Sequence, residues 1–409
     1  MTNAKQTVAI TGASGMVGTA LATVLRESGH TPVSITRKSS DESGGSIIWD
    51  SASGLKDPSR LETVDTVVHL AGENIAAGRW TTALKDRIRR SRVEGTRSLV
   101  KSIAAIGHRP TTFVCASAIG FYGERGDTLL DEDAVAGKGF LADVCREWEH
   151  EAEAATELGL RVVKVRIGVV LSPKGGALAK MLLPFKLGVG GIIGSGKQYW
   201  SWIGLHDLVR IIAFCVEHDS IHGAVNAVSP NSMTNYDFTK AVGRVLHRPT
   251  LFPMPAFAAK LVLGEMADEL LLASTRVTPK KLQAQGFAFI QNWSDVWSMN
   301  CRDRRRPGLR ITTSRWNGTL ATDCITCRRA AMPHLGRVHH CVARAIIACL
   351  RICSATGRTV SVAGDRIGDC AVRHRLCDRL NESIEALGDH PDRPAVKVAR
   401  PDRYGLERQ

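Results

Sequence analysis

The feature that most restricts the fold of this 409-residue chain is a strand, a glycine-rich turn and a helix at its start. Thr7–Ile10 is a short apolar run, and the turn after it reads Thr11-Gly-Ala-Ser-Gly-Met-Val-Gly18. Apolar residues then recur at helical spacing over Thr19–Ser28. This order is typical of the first unit of a doubly wound parallel sheet. The sequence therefore predicts an α/β fold.

Further alternation of strands and helices supports that prediction. The predicted strands are Val33–Thr36, Thr66–Leu70, Thr112–Ser117 and Arg161–Arg166, and the predicted helices include Thr82–Ile106 and Phe140–Leu158. Strands that alternate with long helices favour a parallel sheet covered on both faces. We expect a nucleotide-binding domain over residues 5–230, a smaller and mainly helical unit over 233–290, and a separate tail over 291–409.

The glycine turn indicates a dinucleotide site. Glycines at 12, 15 and 18 let a pyrophosphate approach backbone N–H groups at the N-terminus of a helix. The position of the trio between the first strand and the first helix favours this interpretation over a simple tight turn. The predicted contacts come from Gly12, Ser14, Gly15, Met16, Val17 and Gly18.

The end of the second strand indicates which dinucleotide binds. An acidic residue there would bind the ribose 2′-hydroxyl of NAD, but the sequence reads Ser34-Ile-Thr-Arg37-Lys38-Ser39. Two cations and a hydroxyl suit a 2′-phosphate, so NADP(H) is the predicted cofactor and Arg37 its predicted ligand. The alternative is an ordinary solvated basic turn.

Several motifs together resemble a known family. They are Thr11–Gly18, His69-Leu-Ala-Gly-Glu-Asn74, Ala116-Ser-Ala-Ile-Gly-Phe-Tyr-Gly123, Arg166-Ile-Gly-Val-Val-Leu171 and Arg276-Val-Thr-Pro279. The chain resembles the extended short-chain dehydrogenase/reductases, and within them the epimerase-family oxidoreductases that carry a C-terminal domain of unknown function. The resemblance implies a Rossmann fold that binds NADP(H). It also implies cofactor contacts from Leu70, Ala71, Gly72 and Arg166.

The resemblance implies a catalytic serine, but the usual proton relay is missing. Ser117 matches the serine at the end of a strand. The Tyr-x-x-x-Lys expected at the next helix is replaced by Phe140-Leu-Ala-Asp-Val144. A second occurrence, Tyr236-Asp-Phe-Thr-Lys240, lies beyond the last strands, and we expect it to be a surface helix. Tyr122 is the remaining candidate acid, with packing over the site as its alternative.

Three arginines are candidates for binding a substrate carboxylate or phosphate. Arg79 and Arg92 follow the predicted strand Thr66–Leu70, and Arg166 lies at the end of a later strand. Each could instead pair with one of the acidic residues in the first 290 positions.

The tail differs in composition from the rest of the chain. Residues 1–290 contain 33 Lys and Arg against 28 Asp and Glu, whereas the tail contains 20 Arg, one Lys and eight of the eleven cysteines. We hypothesise that the tail is disordered or a frameshift product. The alternatives are a zinc site at Cys324, Cys327, His339, His340 and Cys341, and nucleic-acid binding by its arginines.

These observations predict an NADP(H)-dependent oxidoreductase or epimerase-like enzyme acting on a small carbonyl or hydroxyl substrate. The alternative is a cofactor-binding regulatory protein without turnover, and the missing Tyr and Lys pair is its evidence; some relatives carry a cell-division-inhibitor label, which does not establish their chemistry. No run approaches the ~18 apolar residues of a membrane span, and no secretory signal precedes the first strand. We expect a cytoplasmic protein without a membrane, metal or nucleic-acid partner; the sequence leaves its oligomeric state open.

Overall fold

The structure is a computed structural model that describes residues 5–37, 46–172, 175–290, 314–316 and 319–321. The side chains of residues 176–180 and of the two short tail segments are outside the description. The chain divides into two compact units, Met1–Arg304 and Arg305–Gln409. The site and its supporting elements all belong to the first unit.

Fourteen strands are described in the first unit. They are β1 (Thr7–Thr11), β2 (Thr31–Thr36), β3 (Ile47–Asp50), β4 (Gly54–Leu55), β5 (Thr66–His69), β6 (Thr112–Ala118), β7 (Leu129–Leu130), β8 (Arg161–Ile167), β9 (Val169–Leu171), β10 (Tyr199–Trp200), β11 (Trp202–Gly204), β12 (Gly223–Ala227), β13 (Met233–Thr234) and β14 (Arg276–Val277).

Nine α-helices are described in the same unit. They are α1 (Met16–Glu27), α2 (Thr82–Ala104), α3 (Phe140–Glu153), α4 (Gly176–Lys186), α5 (Leu205–Glu217), α6 (Asn235–Leu246), α7 (Ala256–Leu263), α8 (Glu265–Ala267) and α9 (Lys280–Ala284). Short 3₁₀ turns cover Pro58–Leu61, Ile119–Tyr122 and Ala154–Leu158, and a π-helical turn covers Asp268–Leu272.

The main sheet has eight strands in the order β12-β8-β6-β5-β1-β2-β3-β4. All neighbours are parallel except β3 and β4. The chain leaves β1 through α1 to reach β2 on one side and returns to β5 on the other side. The point at which strand order reverses therefore lies between β1 and β5, where α/β sheets bind their ligands. The predicted doubly wound fold is confirmed.

Two cores cover the two faces of this sheet. Val8 and Ile10 of β1 pack with α1 and α5, whereas Ala9 between them packs with α2 and α3. Val68 and Val67 of β5 divide between the two faces in the same way. Because successive residues of a strand point to opposite faces, fully buried parallel strands read as continuous apolar runs.

The small unit over residues 233–290, here called the C-terminal unit, belongs to the first compact unit. It is mainly helical, as predicted, and contacts the loops above the sheet. Its short strands β13 and β14 pair with β10 and β7. Helices α4 and α5, the edge strand β12 and the strand pair β3 and β4 were not among the elements predicted from the sequence. In the second unit, β15 (Ser314–Trp316) and β16 (Thr319–Ala321) pair in antiparallel fashion. The zinc ligands considered for the tail lie outside the described residues.

Candidate functional site

The glycine turn between β1 and α1 is too tight for side chains. Gly12 has a backbone φ of +67°, and its carbonyl accepts the N–H of Gly15 at 2.9 Å. A Cβ on Gly18 would overlap the Gly12 carbonyl oxygen and lie 2.8 Å from Ala13 Cα. Gly12 and Gly18 are therefore required by close backbone approaches, not only by flexibility.

Helix α1 presents free backbone donors at this turn. No side chain caps it at Gly15, and its first turn contains no acidic residue. Ser14 and Gly15 are exposed, and Met16 and Val17 are half-buried. The positive end of the helix dipole therefore faces the sheet edge without a counter-charge from the first turn, which suits a phosphate.

The loop after β5 is tied to the glycine turn. Thr11 Oγ1 accepts the N–H groups of Leu70 and Ala71 at 3.0 and 3.1 Å. A Cβ on Gly12 would lie 3.1 Å from Ala71 N. The structure thus brings together the predicted contacts from both loops, and exposed Gly72 follows them.

His69, at the end of β5, completes this connection. Its Nδ1 lies 2.8 Å from Thr11 Oγ1, and the side chain is fully buried. Burial, with a smaller contribution from the charge of Arg92, lowers the pKa of His69 to about 3. The imidazole is therefore neutral at physiological pH. Sequence reasoning quoted His69 only as part of a motif and missed this role.

Arg37 lies immediately after β2 and is exposed. Because β2 is the parallel neighbour of β1, its end lies at the same edge as the glycine turn. This position fits the predicted contact with a 2′-phosphate. Lys38 and Ser39, the other members of the predicted set, lie outside the described residues.

Ser117 is engaged with a buried ion pair. Its hydroxyl donates to Glu149 Oε1 at 2.7 Å, and Ser117 is only 3% exposed. Glu149 accepts Nε and Nη2 of Arg166 at 2.8 and 2.9 Å in a bidentate pair. Sequence reasoning did not single out Glu149. The sequence does contain a sign of its role, because Glu149 falls within the buried stripe of α3, beside Cys145, Trp148 and Ala152.

Arg166 has the ion-pair role that the sequence analysis considered as its alternative. Burial opposes its charge, but hydrogen bonds and attraction to Glu149 raise its pKa above the ordinary value. Its Nη1 donates to Tyr122 Oη at 2.9 Å and to the Glu132 carbonyl at 3.2 Å. With every guanidinium nitrogen bonded, the arrangement favours a structural pair over the predicted cofactor contact, which remains a prediction.

Tyr122 lies in the same network and is fully buried. Its hydroxyl lies 2.7 Å from Asn226 Oδ1 and 3.0 Å from the Asp131 carbonyl. Burial raises the pKa of Tyr122 to about 12, although nearby Arg166 acts in the opposite direction. These contacts favour packing over proton donation, and the catalytic role remains a prediction.

Helix α3 begins at Phe140, where the missing tyrosine would stand. The backbone N–H groups of Phe140 and Leu141 donate to the Glu269 carboxylate at 2.8 and 3.0 Å. The C-terminal unit therefore caps this helix. The second Tyr-x-x-x-Lys lies on α6, with Tyr236 50% exposed and Lys240 Nζ 3.1 Å from Thr250 Oγ1, in keeping with the expected surface helix.

In the part of the chain that the structure describes, two kinds of feature are absent: a membrane-spanning helix and a cluster of metal ligands. Within it, no helix has the length and apolar character needed to cross a membrane. Nor do three or more His, Cys, Asp or Glu side chains gather there as a metal site would require.

Comparison with known proteins connects this architecture to a family. Residues 8–227 match the NAD dependent epimerase/dehydratase family, and residues 254–291 match a domain of unknown function (DUF1731). The Mycobacterium bovis epimerase family protein Mb2239 is 43% identical over 289 residues, which are 71% of this chain and 95% of that protein.

Two solved structures show similar folds. The human epimerase family protein SDR39U1, crystallised with NADPH, is 33% identical with a TM-score of 0.64, and the match covers 73% of this chain and all of that one. A nucleoside-diphosphate sugar epimerase from Corynebacterium glutamicum is 35% identical with a TM-score of 0.60, covering 73% and 58%. This chain therefore belongs to the NAD dependent epimerase/dehydratase family.

Proposed function

We propose that the protein is an NADP(H)-dependent oxidoreductase or epimerase-like enzyme that acts on a small carbonyl or hydroxyl substrate. The observation that carries this proposal is the glycine turn, where a Cβ at Gly18 would overlap backbone and α1 is left without a side-chain cap. The NADPH-bound human relative supports the choice of cofactor. The sugar-nucleotide epimerase at 35% identity supports a small-molecule substrate.

The chain's own residues would hold the cofactor in three places. Backbone N–H groups of Met16 and Val17 would donate to the pyrophosphate, and Arg37 would bind the 2′-phosphate. Leu70, Ala71 and Gly72 would line the adjoining loop. The bound nicotinamide supplies or accepts a hydride.

The proposed proton-transfer groups lie at the ends of β6 and the turn that follows it. Ser117 and Tyr122 are its catalytic candidates, but both hydroxyls have buried partners. A substrate would have to reach them through this network. If they transfer protons, Ser117→Ala and Tyr122→Phe will each reduce turnover in a protein that still binds NADPH with unchanged affinity.

A regulatory protein without turnover is the second candidate. Its supporting observations are Phe140 and Val144 in place of a proton relay, and the engaged hydroxyl of Ser117. Assays of hydride transfer from NADPH to small ketones, and from small alcohols and sugar nucleotides to NADP⁺, would separate the two functions. Turnover would reject the regulatory candidate.

We also propose the domain boundaries 5–230 and 233–290, a tail from 291 that is disordered or a frameshift product, and a cytoplasmic location without a nucleic-acid partner. The family matches at 8–227 and 254–291 support the first two boundaries. Resequencing the coding region will show whether the natural protein contains the tail.

The cofactor proposal is tested by titrating the full chain with NADPH and NADH. Loss of a charge-assisted hydrogen bond costs about 1.5–3 kcal/mol, so Arg37→Ala should weaken NADPH binding about 10- to 100-fold and leave NADH nearly unchanged. A matched control is Arg26→Ala on α1. Equal affinity of the unchanged protein for both cofactors would contradict the proposal.

A further inference from the structure

The segment that follows α6, residues 247–257, crosses the surface of the C-terminal unit with large apolar side chains in water. Leu251 and Phe252 are 73% and 61% exposed, and Met254 and Phe257 are exposed as well. Single exposed apolar side chains are common, but these four lie close together in sequence and form what is here called the apolar patch. Contiguous apolar patches on a folded surface mark places where other molecules bind.

The backbone of this segment is fixed around the apolar patch. The carbonyl of Met254 accepts the N–H of Gly194 at 2.9 Å, and the N–H of Met254 donates to the carbonyl of Ile192 at 2.8 Å. Before the patch, Lys240 Nζ on α6 donates to Thr250 Oγ1 at 3.1 Å. Because the backbone is already held in place, a partner that covers the patch pays little for ordering it.

Two glycines let the segment pack closely on its neighbours. A Cβ on Gly191 would overlap the carbonyl oxygen of Phe252, and a Cβ on Gly243 would lie 2.6 Å from Thr250 Cγ2. Both approaches require a position without a side chain. The segment is therefore a built part of the surface, although its apolar side chains face solvent.

A basic pocket adjoins the apolar patch at the end of α6. This open cavity of about 520 Å³ is lined by Lys240, Gly243, Arg244, His247, Arg248, Pro249 and Thr250. Most of its basic side chains are exposed, and that of Lys240 is half-buried. The lining contains basic residues and no acidic one, so its potential favours an anion.

The basic pocket differs from the other cations of the C-terminal unit in having no acidic partner. Lys260 pairs with Asp268 at 2.8 Å, and Lys280 pairs with Asp131 at 2.7 Å. Among the described residues, no carboxylate oxygen lies within 4.0 Å of a side-chain nitrogen of the basic pocket. Each of its cations is therefore available for a charge-assisted hydrogen bond with an incoming anion.

The charge and shape of this surface favour an acidic protein segment over other partners. A second copy docked about a two-fold axis would bring two basic pockets towards each other, and the repulsion between like charges opposes this. A flat lipid surface contacts side chains that project, whereas these cations surround a cavity that a single carboxylate can enter. A nucleic acid strand needs cations along its whole backbone rather than around one cavity.

We propose that the basic pocket and the apolar patch together bind an acidic, partly apolar segment of a partner protein. Carboxylates of the segment bind Arg244 and Arg248, and its apolar side chains pack on Leu251 and Phe252. Arginine suits this role because its planar guanidinium binds both oxygens of a carboxylate. None of these residues belongs to the proposed cofactor or catalytic set, so partner binding goes beyond the proposed function.

Short fluorescein-labelled peptides are the probe for this proposal. One pool is rich in Asp and Glu with Leu and Phe at varied positions, and a matched pool has Lys in place of every acid. Each pool is titrated with the full chain, and fluorescence anisotropy measures binding. We expect saturable binding of the acidic pool only. Arg244→Gln with Arg248→Gln, and separately Leu251→Ser with Phe252→Ser, should each weaken it at least about tenfold.

Matched pairs of substitutions elsewhere control for lost charge and for lost apolar surface. Arg87→Gln with Arg90→Gln removes two exposed cations of α2, and Leu129→Ser with Val135→Ser removes two exposed apolar side chains. Both control proteins should bind the acidic pool as the unchanged protein does. Every variant keeps the basic tail, so binding by the tail is the same in all of them. Thermal unfolding of each variant checks that it is folded.

The proposal is overturned if the acidic pool does not bind saturably, or if the pocket and patch variants bind it as the controls do. Vesicles that contain phosphatidylglycerol and a single-stranded oligonucleotide are titrated in parallel. Tighter binding of either one than of the acidic pool, lost in the same variants, would assign this surface to a lipid or a nucleic acid and would also overturn the proposal.

Discussion

The two halves of the sheet's carboxyl edge use their polar groups in opposite ways. At β1 and β2, backbone N–H groups of α1 and the Arg37 guanidinium face outward. At β6 and β8, the side chains of Ser117 and Arg166 turn to the buried carboxylate of Glu149. The first region, here called the open edge, is the proposed site for the phosphates of the cofactor. The second, the closed edge, has its hydrogen bonds satisfied within the protein.

The comparison shows how a polar residue's partner decides its role. Arg37 directly follows β2, and Arg166 lies one residue before the end of β8 in the same sheet. Arg166 is bound by Glu149 of α3, and its burial makes that pair difficult to break. The ends of strands in one sheet can therefore serve ligand binding or fold stability, according to what the covering helices supply.

The largest expected effect is on the closed edge. Glu149→Ala would leave Arg166 buried without its counter-ion, which should lower the free energy of unfolding by about 3–5 kcal/mol. Glu147→Ala, two residues earlier on α3, removes the half-exposed partner of Arg89 and should cost no more than about 1 kcal/mol. Urea unfolding of both variants measures the difference. Equal losses would show that the closed edge does not depend on this pair.

The next effect is on the open edge. Gly18→Ala places a methyl group against the backbone of Gly12 and Ala13, and such overpacking costs about 1–3 kcal/mol. We expect NADPH affinity to fall up to about 100-fold. The matched control is Gly78→Ala, because a Cβ there would meet no atom within 4 Å. Unchanged NADPH affinity in Gly18→Ala would remove the turn from the binding site.

Acid should weaken the contact between β5 and the glycine turn through His69. Its pKa is lowered to about 3 in the folded protein and is about 6.5 when unfolded, so the unfolded chain binds more protons between these values. The free energy of unfolding should therefore fall as the pH decreases from about 6.5 to 3, with a contribution of up to about 1.4 kcal/mol per pH unit.

The variant His69→Asn isolates this contribution. It removes the titrating group while keeping a polar side chain beside Thr11, so its stability should depend less steeply on pH over the same range. Denaturant titrations at several pH values give the two slopes. Identical slopes would contradict the assignment of a buried neutral imidazole.

The smallest effect is expected from the tail. A chain ending at Gln291 keeps every strand of the main sheet and both family matches. It should bind NADPH as the full chain does and melt within a few degrees of it. Insolubility of the shortened chain, or loss of NADPH binding, would make the tail part of the folded protein.

The fold was largely predictable because its signals are local. Strand β1, the glycine turn and helix α1 are adjacent in sequence, and α2 and α3 begin at the predicted Thr82 and Phe140. Helix α4 was missed because Pro184 and the glycines before it resemble a loop. Strands β3 and β4 are only four and two residues long, too short to give a clear alternation.

The candidate site could be predicted from the sequence only where backbone groups form it. The glycine turn follows from residue size and position, so Gly12 and Gly18 could be assigned from sequence. The partner of Arg166 depends on how α3 packs on β8, and no spacing rule fixes that contact. Glu149 in a buried helical stripe was the available sign, because an acid there needs a counter-ion.

A crystal structure of the full chain with NADPH tests the contrast between the two edges most directly. We predict pyrophosphate oxygens within hydrogen-bond distance of the Met16 and Val17 N–H groups, the 2′-phosphate at Arg37, and Arg166 still paired with Glu149. A structure in which Arg166 leaves Glu149 to bind a cofactor phosphate, or in which the dinucleotide avoids the N-terminus of α1, would contradict the account.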